Sequence, residues 1–138
     1  MEQQKYPFTV AVGIVKYNDK ILMTKRCSKH HERNGKWQFP GGTHEFGETL
    51  EQALKRELLE EVAIHVNILG DPKVVEYMDD LFHGILFFYP CEPIDDKQTV
   101  LINEESSDFG WFSLEEAKKL DLLGANASIL DEMVEAMS

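Results

Sequence analysis

The acids Glu57, Glu60 and Glu61 set the chemical question, in the run "RELLEEVAI" from Arg56 to Ile64. That run closes an amphipathic stretch that opens at Leu50. On a helical wheel advancing about 100° per residue from Leu50, Leu54 and Leu58 fall at about 40° and 80°, and Ala53 at about −60°. Glu57 and Glu61 fall at about −20° and 20°, inside the apolar stripe, and Glu60 flanks it at about −80°. Leucine and carboxylate therefore share the face that should be buried. Like charges at i,i+4 repel. Acids at a helix C-terminus also oppose the helix dipole, by about 0.3–1 kcal/mol each. The bland alternative is a solvated acidic end with Arg56 paired to Glu60, and the shared angular sector argues against it. A divalent cation removes the conflict. An all-oxygen donor set suits Mg²⁺, with Mn²⁺ as the alternative, and not Zn²⁺, which prefers nitrogen and sulfur.

The elements that must position these acids are legible on both sides. Thr49 and Gln52 form a T-x-x-Q capping box that opens the helix. Before it, "WQFPGG" is a short strand running into Gly41 and Gly42, read as a structural loop. Such a loop lets a ligand approach the backbone and offers it a carbonyl. Glu48 is placed to hold Arg56 or that loop. Upstream, Phe8–Tyr17 and Ile21–Arg26 read as strands joined by a turn at Asn18–Lys20, followed by a polar loop over 27–36. Downstream, "HVNILG" and "KVVEYM" read as extended segments around Gly70-Asp71-Pro72, and Leu81–Tyr89 as a buried strand. A long polar loop over 91–108 leads to a short strand, "FGWF". Ser113 and Glu116 form a second capping box, and Asn126 caps a terminal helix, Asn126–Met137. Strands and helices mix without strict βαβ alternation, which predicts one α/β domain over residues 1–138.

Composition limits the function classes. The chain has 138 residues, 43% hydrophobic and 28% charged, in the globular rather than the disordered range. A net charge of −11 argues against general nucleic-acid binding. An anionic substrate would then need local cations. No apolar run reaches membrane-spanning length, and "MEQQKYPF" lacks the order of a signal peptide. Cys27 and Cys91 fit no metal spacing and are expected as free thiols in a reducing compartment. A cytoplasmic protein without membrane association is expected.

From Gly42 to Ile64 the chain resembles the Nudix box. That pattern is glycine, five residues, glutamate, seven residues, Arg-Glu, an aliphatic, any residue, Glu-Glu, any residue, glycine and an aliphatic. Gly42, Glu48, Arg56, Glu57, Leu58, Glu60, Glu61 and Ile64 match it. Ala63 stands where the glycine is expected, and if that residue is left-handed, alanine costs about 1–2 kcal/mol. "AVGIV", "ILMTKR", "FPGG" and "GANASIL" resemble the MutT-like branch in order and spacing. The resemblance implies a Nudix-type α/β/α sandwich with a mixed, mainly antiparallel central sheet. It implies hydrolysis of a nucleoside diphosphate linked to another group, by metal-assisted attack of water on phosphorus. Glu57, Glu60 and Glu61 would hold Mg²⁺ with the carbonyl of Gly42, and Arg56 would position them. A further acid is implied upstream of Trp111, with Glu105 the better match and Glu104 next. Arg26, Phe39 and Asn126 would bind substrate, Arg26 at phosphate and Asn126 at the base, unless Asn126 is only a cap. The implied partner is a small nucleotide, and the oligomeric state, monomer or homodimer, is left open by the sequence. The proline of ADP-ribose-type members is absent around Met78 and Asp79, and the tyrosine of dinucleoside polyphosphate members is absent near Asp80. A nucleoside triphosphate cleaved to monophosphate and pyrophosphate is therefore expected, with an ADP-sugar as the alternative. A non-catalytic nucleotide-binding module is the other class, and the retained box glutamates argue against it.

Overall fold

Strand β1 (Phe8–Tyr17) runs through the middle of an eight-stranded sheet in a computed structural model that describes residues 5–136. Its valine- and isoleucine-rich sequence suits a strand covered on both faces, and residues 11–15 are buried. Strand β2 (Lys20–Arg26) returns antiparallel across Asn18 and Asp19, whose φ angles are 50° and 60°. Two consecutive left-handed residues make the hairpin turn whose twist matches the strands. Strand β3 (Trp37–Gln38) and strand β8 (Ser106–Phe112) both pair antiparallel with β2, and strand β4 (Gly41–Thr43) pairs antiparallel with β1. Strand β7 (His83–Pro93) lies parallel to β1, from Phe8 opposite Gly84 to Val15 opposite Cys91. Strands β5 (Val66–Ile68) and β6 (Lys73–Met78) pair antiparallel with β7. The sheet is thus mixed and mainly antiparallel, as expected.

Helix α1 (Leu50–Val62) covers one face of the sheet, where Leu54, Leu58 and Val62 pack with Ala11, Val15, Leu22 and Cys91. Helices α2 (Leu114–Lys118) and α3 (Asn126–Ala136) cover the other, where Ile129 and Leu130 pack with Ile14, Met23, Phe39 and Phe88. This is an α/β/α sandwich. A 13-residue helix is marginal alone. Leu54 and Leu58 are fully buried and contribute about 1.5–3 kcal/mol each, which fixes α1 by packing. Both capping boxes form as expected, at Thr49 with Gln52 and at Ser113 with Glu116. Cys27 is exposed and Cys91 buried, and neither is disulfide-bonded. Burial pushes the Cys91 thiol up to about 12. Among the described residues no helix is long and apolar enough to cross a membrane.

Several boundaries differ from the sequence reading, three of them with a clear physical cause. Residues 41–43 form a strand, not a loop, because glycine lets this segment press against β1. A Cβ on Gly41 would stand 2.3 Å from the Ala11 carbonyl oxygen. Strand β7 continues past Tyr89 to Pro93, because β5 supplies antiparallel partners for residues 91–93 and the Leu69 N–H bonds to the Pro90 carbonyl. Strand β8 begins at Ser106, where β2 provides its ladder.

Ala63 is the C-cap of α1, with φ 61° and ψ 35°. A left-handed alanine is strained where glycine is not. Ala63→Gly is expected to raise stability by about 1 kcal/mol, read as a higher denaturation midpoint at unchanged slope.

Candidate active site

Arg56 organises the acidic end of α1. Its Nε and Nη2 donate to the two oxygens of Glu48 at 3.0 and 2.6 Å, a forked pair. Its Nη1 donates to Glu57 at 2.9 Å and Glu60 at 3.3 Å, and Nη2 also reaches the Thr43 carbonyl. The Arg56 hydrogen bond holds the Glu48 carboxyl down to about 2. Glu48 thus anchors Arg56, as the sequence suggested. Arg56 touches Glu60 as the bland reading required, but it spans Glu48, Glu57 and Glu60 together.

Glu61 lies where the wheel put it. It is 2% exposed, accepting the Gly41 N–H at 3.1 Å and the Thr24 hydroxyl at 3.4 Å. Burial pushes its carboxyl up to about 7 from an ordinary 4.5. The Gly41 N–H pulls it down, and the charges of Glu105 and Glu57 push it further up. Such a carboxyl binds more protons folded than unfolded between those two values, so stability falls as pH rises. Metal-free protein is expected to lose on the order of 3 kcal/mol from Glu61 between about pH 4.5 and the region just above 7. Chemical denaturation in EDTA across that range checks this, and Glu61→Gln should remove the loss.

Glu57 rests directly on Gly42. A Cβ on Gly42 would stand 2.3 Å from the Glu57 carboxyl carbon. The glycine is thus needed for close approach, and the carboxylate fills the space a side chain would take. Burial raises the Glu57 carboxyl, and the neighbouring Arg56 only partly offsets it.

Glu105 joins this group from the segment before β8. Its charge acts on both Glu57 and Glu61. Asn103 fixes its approach, donating to the Glu60 carbonyl at 3.1 Å while its own oxygen accepts the Glu105 N–H at 3.0 Å. The Glu105 carbonyl accepts the Cys27 N–H at 2.9 Å. Glu104 is exposed and is not among the charges acting on those two acids.

On the α3 side of the sheet a cavity of about 180 Å³ opens beside Gly41 and Gly42, lined also by Arg26, Arg33, Phe39, Tyr77, Phe82 and Asn126. The two glycines are thus shared between the acids and the cavity. Arg26 reaches it from the end of β2, with Nη1 3.5 Å from the Gln38 oxygen and Nε buried without a partner. Phe39 packs edge-on against Phe88 and is mostly core. Asn126 is 7% exposed and does not cap α3. Its oxygen accepts the Phe39 N–H at 3.1 Å and its amide nitrogen donates to the Leu123 carbonyl. The cap reading is therefore corrected: Asn126 ties α3 to the segment that leads from β3 into the strand carrying the glycines. One amide hydrogen and one oxygen lone pair remain for a ligand. Serine cannot span both partners, so Asn126→Ser is expected to cost about 1–3 kcal/mol through the orphaned Phe39 N–H. A thermal melt measures it.

The NUDIX domain family matches residues 7–133. The chain belongs to the Nudix family. The 8-oxo-dGTP diphosphatase of Escherichia coli (strain K12) is 34% identical to it over 125 residues, 90% of this chain and 94% of that one. The nucleoside triphosphatase NudI of Enterobacter sp. (strain 638) is 31% identical over 123 residues, 83% and 87% of the two. The crystal structure of a MutT NUDIX hydrolase from Burkholderia pseudomallei has a TM-score of 0.81 and 25% identity, covering 94% of this chain and 99% of that chain. Like its relatives, this Nudix protein is a hydrolase acting on phosphorus anhydrides. Nudix proteins generally use divalent metal ions.

The donors of this Nudix chain suit such an ion chemically. The acids present only oxygen, Glu61 carries a buried carboxylate paired with no cationic side chain among the described residues, and the Glu57 carboxylate sits in a cradle that only glycine leaves open. In the conformations present, no three His, Cys, Asp or Glu side chains among the described residues are gathered closely enough to hold a metal. Arg56, Gly41 and Thr24 occupy the carboxylates instead. Sequence reasoning missed Thr24 and Asn103. Thr24 had a signal, since period two places it on the same face of β2 as Leu22, which packs under α1. Asn103 had none.

Proposed function

We propose that this protein hydrolyses a nucleoside triphosphate to the monophosphate and pyrophosphate, at a divalent cation held by the acidic end of α1. One observation carries the reading: Gly41 and Gly42 touch Glu61 and Glu57 and also line the arginine-bearing cavity. A polyphosphate lying across those glycines would reach the acids at one end and place its nucleoside in the cavity at the other. The names of the relatives, a nucleoside triphosphatase and an 8-oxo-dGTP diphosphatase, support this substrate class.

Glu57, Glu60, Glu61 and Glu105, with the Gly42 carbonyl, would hold Mg²⁺, or Mn²⁺ as the alternative. The bound ion would neutralise phosphate charge and lower the pKa of an attacking water. Arg56, clamped by Glu48, orients Glu57 and Glu60. Thr24 and the Gly41 N–H orient Glu61. Glu105, exposed and, unlike the exposed Glu60, not held by Arg56, serves as the general base candidate. Arg26 supplies positive charge for phosphate in a chain of net charge −11. Phe39 and Asn126 bound the nucleoside. The whole chain, 1–138, acts as one such unit in a cytoplasmic protein. Turnover of a panel of nucleoside triphosphates, 8-oxo-dGTP and ADP-ribose, with Mg²⁺ and again with excess EDTA, tests this. Triphosphate cleavage that EDTA abolishes is expected. Turnover of ADP-ribose alone would replace the substrate class, and none at all would sink the reading.

A further inference from the structure

The cavity wall opposite the acids is held by a second arginine. Arg33, from the 27–36 loop, is 9% exposed. Its Nη2 stands 2.7 Å from each oxygen of Asp79, and its guanidinium carbon lies 5.6 Å from the Phe82 ring centroid. Asp79 also accepts the backbone N–H groups of Leu81 and Phe82 at 2.8 and 2.9 Å, and the Tyr77 hydroxyl at 3.3 Å. One carboxylate therefore shapes the turn between β6 and β7 and ties it to the distant loop. The Tyr77 ring in turn abuts Gly124, whose φ is +55° and whose added Cβ would come within 3.2 Å of the ring. Segments near residues 33, 79 and 124 thus meet around the cavity mouth. Arg33, Tyr77, Phe82 and Gly124 all line it.

Exposed ion pairs contribute little, but here the arginine is buried, and the carboxylate, about one-third exposed at 33%, is already fixed by backbone donors. Such a pair acts by holding a wall in place before a ligand arrives, which lowers the entropy lost on binding. Resting on the reading that this cavity takes the nucleoside, we propose that Arg33 and Asp79 form a positioning clasp that holds Phe82 and Tyr77 as the wall of the nucleobase site. The clasp acts on nucleotide affinity, and the acids of α1 act on the chemical step. If the wall is correctly placed only part of the time, apparent affinity falls by that fraction while the bound substrate reacts as before.

Steady-state kinetics on a nucleoside triphosphate test this with Arg33→Ala, Asp79→Asn and the double variant. Asparagine keeps an oxygen for the Leu81 and Phe82 N–H groups, so Asp79→Asn removes the charge and spares the turn. Each single change is expected to raise KM at least about tenfold with kcat within about twofold. The double variant should be no worse than the more affected single one, because both remove one contact. Unchanged KM in both single variants, a fall confined to kcat, or effects that multiply in the double variant would each overturn the clasp. Wild-type protein that fails to turn over any nucleoside triphosphate would overturn the reading beneath it. Normal wild-type turnover with unchanged KM in the variants would overturn the clasp alone.

Discussion

Glu61→Gln is expected to lower kcat about a thousandfold while leaving the metal-free protein at least as stable as the wild type at pH 8. The two halves of this result have separate causes. Glutamine keeps the shape of a side chain that is 2% exposed and keeps an oxygen for the Gly41 N–H. It removes a carboxylate that burial and the charges of Glu105 and Glu57 make costly to ionise. The folded apo state therefore loses a penalty and no essential hydrogen bond. The reaction loses a charged oxygen donor, and losing several kcal/mol of cation-derived stabilisation amounts to about three powers of ten. Pyrophosphate release and an apo melt are measured on the same sample. Near-wild-type turnover would show that Glu61 holds nothing the reaction uses, and a collapsed apo fold would make it structural.

The adjacent glycines are expected to fail differently. At Gly41 an added Cβ meets backbone, 2.3 Å from the Ala11 oxygen and 2.7 Å from the Val12 Cα. Backbone cannot step aside without breaking the pairing of β4 with β1, so Gly41→Ala should cost about 3 kcal/mol or more. At Gly42 the Cβ meets the end of the Glu57 side chain, which can swing away. Gly42→Ala should therefore fold with a melting point close to wild type. It should lose at least about a hundredfold in turnover, since a displacement on the order of 1 Å at a reacting site has that effect. Melts and turnover of both variants separate the two. Equal destabilisation by both changes would contradict the view that Gly42 is kept for the Glu57 carboxylate.

Much of this was legible in the sequence because it is local. The capping box at Thr49, the buried angular sector of Glu57 and Glu61, and the link from Glu48 to Arg56 all lie within one helix and its lead-in. Periodicity and short spacings reach that far. What stayed hidden depends on strand pairing. Gly41 and Gly42 read as a loop because nothing local shows that β1 presses against them. The strand read as Leu81–Tyr89 runs on to Pro93, because β5 and β1 hold it from both sides. Asn126 read as a cap because asparagine before an amphipathic run commonly is one. Its true partner, the Phe39 N–H, lies 87 residues away. The contact between Arg33 and Asp79 spans 46 residues and belongs to no motif. Ala63 was legible in both respects, as a departure from the box and as a strained left-handed residue.

The central claim is that the carboxylates on the buried face of α1 are kept there for a divalent cation. Binding of Mn²⁺, followed by the loss of the free-ion paramagnetic resonance signal, tests it most directly when wild type is compared with Glu61→Gln. Saturable Mn²⁺ binding by the wild type, displaced by Mg²⁺ and strongly weakened in Glu61→Gln, is the predicted result. Equal binding by the two proteins, or none by the wild type, would contradict it.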